Sequence, residues 1–224
     1  MSHEVRTLLN AIVGFSGLLV EPSTDEEERK EYSSIIRNNT DLMLNLVNDV
    51  LDLSRMETGD LHFDIKDHPL LVCCQMALES VRHRIPDGVK LTFSPAGEPI
   101  TVRVDNLRLQ QLLTNLLTNS AKFTEKGEIN LSFQLEPDRK KVRIAVTDTG
   151  AGIPLEKQAT IFNRFEKLDD YKPGVGLGLS ICLLIAERLD GALFIDSSYT
   201  DGARFVLILS CEIDSSIYNP PIEV

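Results

Sequence analysis

The sequence predicts an α+β chain in which an N-terminal helical hairpin precedes an α/β sandwich, not a doubly wound sheet. Three observations carry this. Apolar residues recur at helical spacing over residues 5–53, and after Gly59 a period-two alternation takes over in short stretches. Several of those stretches follow one another directly, as hairpins, while others are separated by helical segments.

The first helix is marked by Val5, Leu8, Ile12, Phe15 and Leu19, with Leu9 and Val13 widening the stripe. Pro22 and the acidic "EPSTDEEERK" interrupt it, and Ser23 or Thr24 is expected to cap a second helix whose first turn is acidic. Tyr32, Ile36, Met43, Leu46, Val50 and Leu53 line that helix until it stops near Gly59. One hairpin cannot bury two wide apolar faces, so two copies are expected to form a four-helix bundle, a homodimer.

Beyond Gly59, "LHFDI" alternates as a strand and Pro69 to Arg84 reads as a helix. "VKLTFS" and "ITVRV" are short strands, and Asp105 to Phe123 is a long helix. "GEINLSFQL" and "KVRIAVTD" alternate as strands, a helix runs from about Gly176 to Leu189, and "ALFIDS" and "ARFVLIL" close the set. The divisions expected are 1–58 for the hairpin, 59–211 for the sandwich and 212–224 for a tail or linker.

A net charge of −11 argues against general nucleic-acid binding but leaves room for a local anion site built on backbone amides. Cys73, Cys74, Cys182 and Cys211 form no Cys-x-x-Cys pair, which suits a reducing compartment. With no apolar run of about 18 residues, this stretch is expected to be cytoplasmic and to make no membrane contact. A start inside an apparent helix is expected to mark a piece of a longer protein, one that other segments could anchor to a membrane.

Four constellations carry chemistry. The opening "MSHEVRT" sets His3 beside Glu4; a zinc-protease reading needs a second His at position 7, which is Thr7. On the long helix Arg108, Gln111, Asn115, Asn119 and Lys122 form one polar stripe opposite a row of leucines. Asn is a poor helix former, and neutral amides suit oxygen coordination of Mg²⁺ beside a polyphosphate, although a solvated face has the same pattern. At a strand end, Asp148-Thr149-Gly150-Ala151-Gly152 offers a carboxylate for a donor such as an exocyclic amine, with glycines that let backbone approach a flat ring; a simple β-turn fits as well. Gly174-Val175-Gly176-Leu177-Gly178 feeds a helix start, a phosphate-cradling arrangement that matches neither the P-loop nor the dinucleotide fingerprint. Before it lies "EKLDDYKP", which reads as a mobile lid with Lys167 and Lys172.

In this order, the Asn stripe, Asp148-x-Gly-x-Gly, Phe162-x-x-Phe165 and Gly-x-Gly-x-Gly resemble the ATP-binding domain of sensor histidine kinases, a fold shared with gyrase, a heat-shock chaperone and mismatch-repair ATPases. "SHEVRT" resembles the phosphoacceptor box of the same family. The resemblance implies that His3 is the phosphoacceptor and Glu4 its general base. It implies that Thr7 orients water in a phosphatase reaction. On the helical wheel His3 lies about 200° from Val5, at about 100° per residue, and so faces solvent. The resemblance further implies Asn119 as Mg²⁺ ligand, Asn115 and Lys122 near the phosphates, and Asp148 on the adenine amine with Gly150 and Gly152 around it. Gly174, Gly176 and Gly178 would present amides to the phosphates of ATP, and Lys167 a cation near the γ-phosphate. The phosphoryl group would pass to an aspartate of a response-regulator receiver domain, docked against Ala11, Gly14, Phe15 and Leu18.

Two positions depart from the family. Leu8 replaces the usual Pro, so the kink after the phosphoacceptor is expected to be reduced. Arg204 stands where a small hydroxyl residue is expected. A nucleotide-binding scaffold or pseudokinase, and a general ATPase of the same fold, are the competing readings.

Overall fold

The computed structural model describes residues 2–138, 140–169 and 175–213, with the side chains of residues 2–4 and 57 outside the described set. The chain divides into two compact units, residues 1–61 with 163–178, and residues 62–162 with those from 179 onward.

The first unit holds helices α1 (Ser2–Leu19) and α2 (Glu26–Thr58). Val5, Leu8, Ile12, Phe15 and Leu19 are all half-buried, as the spacing predicts, and Phe15 meets Tyr32 with ring centroids 5.5 Å apart. Leu46, Leu53 and Met56 are buried, whereas Leu9, Val13, Leu44, Val47 and Leu51 stay exposed. An open apolar groove runs along Val5, Leu9, Leu46, Val47, Val50 and Leu51. α1 continues without interruption through Leu8.

The cap of α2 is Asp25, not Ser23 or Thr24. Asp25 accepts from the amides of Glu27 and Glu28 at 2.9 Å each, and its own amide donates to Glu28 Oε2 at 3.0 Å. This reciprocal box satisfies more of the helix's orphan donors than a lone hydroxyl does. Thr24 turns its hydroxyl back to the carbonyl of Leu18. Arg29 then ties the turn together, donating to the carbonyls of Leu19, Glu21 and Thr24. Gly59 ends α2 at φ 77°, a left-handed cap that costs glycine little.

The second unit is built on a seven-stranded mixed sheet. Its strands are β1 (Lys66–Pro69), β2 (Val89–Ser94), β3 (Ile100–Val104), β4 (Gly127–Leu135), β5 (Lys141–Asp148), β6 (Ala192–Ile195) and β7 (Arg204–Ile213). They run in the order β1-β3-β7-β5-β4-β2, with β6 also on β7; among the described residues only the β2–β4 pair is parallel. Helices α3 (Leu70–Val81), α4 (Asn106–Phe123) and α6 (Gly178–Arg188) supply the second layer, and a single turn, α5 (Leu155–Gln158), follows β5. Gln110 and Thr114 of α4 touch Met76 and Ser80 of α3, while Cys182 of α6 reaches the carbonyl of Leu112, so α4 is the central helix. Its Leu109, Leu112, Leu113, Leu116 and Leu117 are buried, as are Ile129, Leu131, Val142, Ile144, Val146, Leu207 and Leu209 of the sheet.

"LHFDI" is not a strand. β1 begins at Lys66, opposite Val104, because β3 goes no further and its chain turns into α4 at Asp105. An alternating segment without a ladder partner leaves its amides unpaired. Here the amide of Asp64 finds the carboxylate of Asp105, which also caps α4 through the amide of Arg108. The helix predicted from Pro69 to Arg84 ends at Val81 and finishes as a 3₁₀ turn over Arg82–Arg84. β7 runs beyond the predicted "ARFVLIL" to Ile213, where it pairs with β3. Residues 214–224, most of the expected tail, lie outside the described residues.

Candidate functional site

Strand β5 alternates so that Val142, Ile144 and Val146 face the helical layer, and Asp148 is the next residue in that row. A row of aliphatic side chains therefore ends in a carboxylate, which is 3% exposed. A buried carboxylate is tolerable only with donors around it, and three protein donors are present. Asp148 Oδ1 accepts the backbone amides of Gly150 at 3.0 Å and Ala203 at 3.1 Å. Asp148 Oδ2 accepts the hydroxyl of Ser120 at 2.8 Å. An ionised carboxylate has about four acceptor positions, so one remains, on Oδ2. The donor set thus fits a ligand that brings one more N–H, such as an exocyclic amine.

Ser120 comes from α4. The 3.6-residue period that buries the leucine row carries Ser120 inward, and it leaves Asn115, Asn119 and Lys122 half-exposed. The predicted polar stripe thus exists. Its amides at Asn115 and Asn119 stand one turn apart, and Lys122 lies with its ammonium 4.9 Å from the ring centroid of Phe123. Neutral amide oxygens with water access suit Mg²⁺, which keeps several waters and takes few protein ligands. Among the described residues no group of three or more His, Cys, Asp or Glu side chains could hold a metal.

The turn after Asp148 is packed more tightly than the ligand argument requires. A Cβ at Gly150 would stand 2.4 Å from the carbonyl oxygen of Phe123 and 2.9 Å from the Thr124 hydroxyl. Its missing side chain thus serves the contact between the turn and the end of α4, and not the approach of a flat ring. Gly152, at φ 70°, has more room, with the nearest atom, the carbonyl oxygen of Gly202, at 3.1 Å. Gly202 itself needs bare backbone, since a Cβ there would meet the carbonyl of Asp148. Beside this turn the Thr124 hydroxyl is buried with no protein hydrogen-bond partner.

The glycine-rich stretch belongs to the first unit. Phe165 adopts φ 62°, unusual for an aromatic residue, and its amide donates to the carbonyl of Gly176 at 2.9 Å. Gly176 sits at φ 78°, and a Cβ there would stand 2.6 Å from the carbonyl oxygen of Glu166. Lys167 is half-buried and Gly178 opens α6. Lys172 and Gly174, with the rest of the predicted lid from 170 to 174, lie outside the described residues.

On the hairpin, His3 and Glu4 belong to α1, but their side chains lie outside the described set. Thr7, one turn further on, is exposed, as the helical phase predicts. Of the expected docking residues, Gly14 and Leu18 are exposed and Ala11 and Phe15 half-buried. Arg204 takes no part in the Asp148 cluster; its guanidinium bonds Thr147 and Asp196 and lies over the ring of Tyr199. Cys73, Cys74 and Cys182 are buried and, with half-buried Cys211, carry free thiols. No helix among the described residues is long and apolar enough to cross a membrane.

Sequence reasoning did not single out Ser120 or Thr124. The available signal was a hydroxyl residue, Ser120, in the buried row of α4, where aliphatic residues are the rule, with a second, Thr124, just past the helix end.

Comparison with known proteins adds the following. Residues 104–213 match the model of the histidine kinase-, DNA gyrase B- and HSP90-like ATPase family, and residues 1–59 that of the His Kinase A phospho-acceptor domain. Two-component system protein A of Emericella nidulans is 36% identical over 205 residues, covering 86% of this chain and 30% of that protein. The signal transduction histidine-protein kinase BarA of Escherichia coli K12 is 32% identical over 226 residues, 97% of this chain and 24% of that protein. Hybrid signal transduction histidine kinase L of Dictyostelium discoideum is 34% identical over 93% of this chain, which spans 13% of its length. The chain thus covers less than a third of each of these relatives. The crystal structure of full-length ShkA in complex with AMPPNP superposes with a TM-score of 0.73 at 29% identity, over 95% of this chain and 45% of that one.

Proposed function

This chain belongs to the sensor histidine kinases, and on that premise we propose that it uses ATP to phosphorylate His3 and passes the phosphoryl group to an aspartate of a response-regulator receiver domain. The observation that carries the nucleotide half of this reading is Asp148: a buried carboxylate with three protein donors and one acceptor position open. A 6-amino purine supplies the missing donor. The structure of full-length ShkA, solved in complex with AMPPNP, supports the same ligand class.

Asn119 is the proposed Mg²⁺ ligand, and Asn115 and Lys122 line the phosphate region; the ion, when bound, neutralises charge on the phosphates. Gly174, Gly176 and Gly178 are proposed to offer backbone amides to the phosphates, and Lys167 a cation. In the transfer, an imidazole nitrogen of His3 forms a bond to the γ-phosphorus as the bond to the β,γ-bridging oxygen breaks, leaving ADP. Glu4 takes the imidazole proton. The protein's contribution is mainly positioning and charge neutralisation, as is general in phosphoryl transfer.

Residues 1–58 are proposed as the dimerisation and phosphotransfer part, 59–211 as the catalytic part and 212–224 as a linker. The exposed apolar residues Leu9, Val13, Leu44, Val47 and Leu51 support a two-copy bundle, since a single hairpin leaves them in water. A receiver partner is supported by the likeness, at the level of fold, to the histidine kinase ThkA, solved in complex with the response regulator protein TrrA. Thr7, exposed on α1, is proposed to position water for an opposing activity, hydrolysis of the partner's phosphoaspartate to aspartate and inorganic phosphate.

The test is incubation with γ-labelled ATP and Mg²⁺, wild type against His3→Gln. Acid-labile, base-stable label is expected on the wild type and none on the variant. Label that persists on His3→Gln removes the acceptor assignment. Absence of label from both, with ATP bound, favours a nucleotide-binding scaffold.

A further inference from the structure

We propose that Ser120 is a positioning residue for the nucleotide base, acting through Asp148; the inference rests on the ATP reading above. Ser120 is 2% exposed in a row of α4 otherwise made of leucines and alanine. A serine inside a helix usually returns its hydroxyl to the carbonyl four residues back. Ser120 instead spans 28 residues of sequence to Asp148 Oδ2, at 2.8 Å.

The division of labour between the two carboxylate oxygens makes this bond decisive. The amides of Gly150 and Ala203 fill Oδ1. They pin one oxygen and leave the plane of the carboxylate able to swing about it. Ser120 is the partner that fixes Oδ2, and Oδ2 is the oxygen with an acceptor position to spare. Because an ionised carboxylate has no hydrogen to give, Ser120 must be the donor in this bond. Its own lone pairs then remain beside the open position on Oδ2. The resulting edge consists of acceptors alone, which selects a ligand nitrogen carrying hydrogens and rejects one presenting a lone pair. Ser120 therefore sets how strongly the site prefers a purine with an amine over one without.

The experiment measures dissociation constants for ATP and for the purine ribonucleoside triphosphate lacking the 6-amine, on wild type, Ser120→Ala and Ser120→Thr. The wild type is expected to favour ATP. In Ser120→Ala, ATP should weaken about tenfold, the effect of losing one hydrogen bond to a charged acceptor, while the amine-free analogue moves less than about twofold. Ser120→Thr keeps the hydroxyl and should restore most of the preference. Should the alanine variant fail to fold, Ser120→Cys, near-isosteric with a weak donor, carries the same comparison and is expected to fall between.

Equal weakening of both nucleotides would mean that Ser120 merely supports the fold, and unchanged constants that it does nothing; either overturns the proposal. A wild type that binds both nucleotides equally also overturns it while leaving ATP binding intact. A wild type that binds neither overturns the nucleotide reading itself, and this inference with it.

Discussion

Gly150→Ala separates two reasons for a glycine beside the carboxylate proposed to bind a ligand. If the glycine is bare so that a ligand can approach, alanine leaves the fold intact and harms only binding. The structure gives the other reason. The new Cβ would stand 2.4 Å from the carbonyl oxygen of Phe123, 2.9 Å from its carbonyl carbon and 2.9 Å from the Thr124 hydroxyl. Two of these atoms are backbone at the end of a helix, and the same carbonyl accepts the amide of Ala151 at 3.3 Å, so neither side yields cheaply. Relief needs a shift of roughly 1 Å, and overpacking on that scale costs about 1–3 kcal/mol. For a unit of this size that is a fall of about 2–12 °C in melting temperature. Gly152→Ala meets its nearest atom only at 3.1 Å, and the main cost there is the left-handed backbone at φ 70°, about 1–2 kcal/mol. Thermal unfolding without nucleotide is the assay, with Gly150→Ala expected to be the less stable of the two. If Gly150→Ala melts with the wild type yet binds ATP poorly, the packing argument is wrong and the glycine serves the ligand.

Two further expectations concern buried polar groups. Burial, assisted by the neighbouring Asp52, raises the pKa of Asp49 to about 6. A carboxyl that holds its proton more tightly folded than unfolded destabilises the native state above about pH 6, and the penalty fades as pH falls toward the ordinary 3.8. Asp49→Asn should therefore melt higher than wild type at neutral pH, by about 1 kcal/mol once solvent screening is allowed for, and lose that advantage near pH 4; a constant difference across pH would refute the cause given. Thr124→Val removes a buried hydroxyl that has no protein partner and should raise stability by about 1 kcal/mol in thermal unfolding. A fall instead would reveal an ordered water on that hydroxyl.

Much of the fold was legible because burial on one face writes itself into the sequence. The strands at 89–94, 100–104, 127–135 and 141–148 stand where alternation put them. "LHFDI" alternates equally well and is not a strand, since alternation reports which face is apolar and says nothing about whether a neighbour offers hydrogen bonds. Three adjacent cap-competent residues, Ser23, Thr24 and Asp25, each have a glutamate three residues on (Glu26, Glu27 and Glu28), so the capping-box pattern does not choose among them. The choice of Asp25 shows only in the folded turn, where Thr24 is drawn back to the carbonyl of Leu18 and Asp25 closes the box with Glu28. The four residues of α5 are too few to show any period.

The candidate site was legible on its wet side and hidden on its dry side, and one geometric fact accounts for both. α4 presents Asn115, Asn119 and Lys122 outward with the same period that turns Ser120 inward, and Thr124 is buried just past the helix end. A polar residue on an outer stripe catches the eye because its neighbours in that stripe are polar. A serine among leucines looks like an imperfection of the core until the strand beneath it is known to end in Asp148. Here a helical row of period 3.6 and a strand row of period two both run out of aliphatic residues at the same place, and the two polar termini bond to each other. Nothing in either row alone specifies that meeting; it follows from packing α4 over β5. The bond that joins the two layers also holds the carboxylate, so at this edge of the core the fold and the group proposed to meet the base depend on the same pair of side chains.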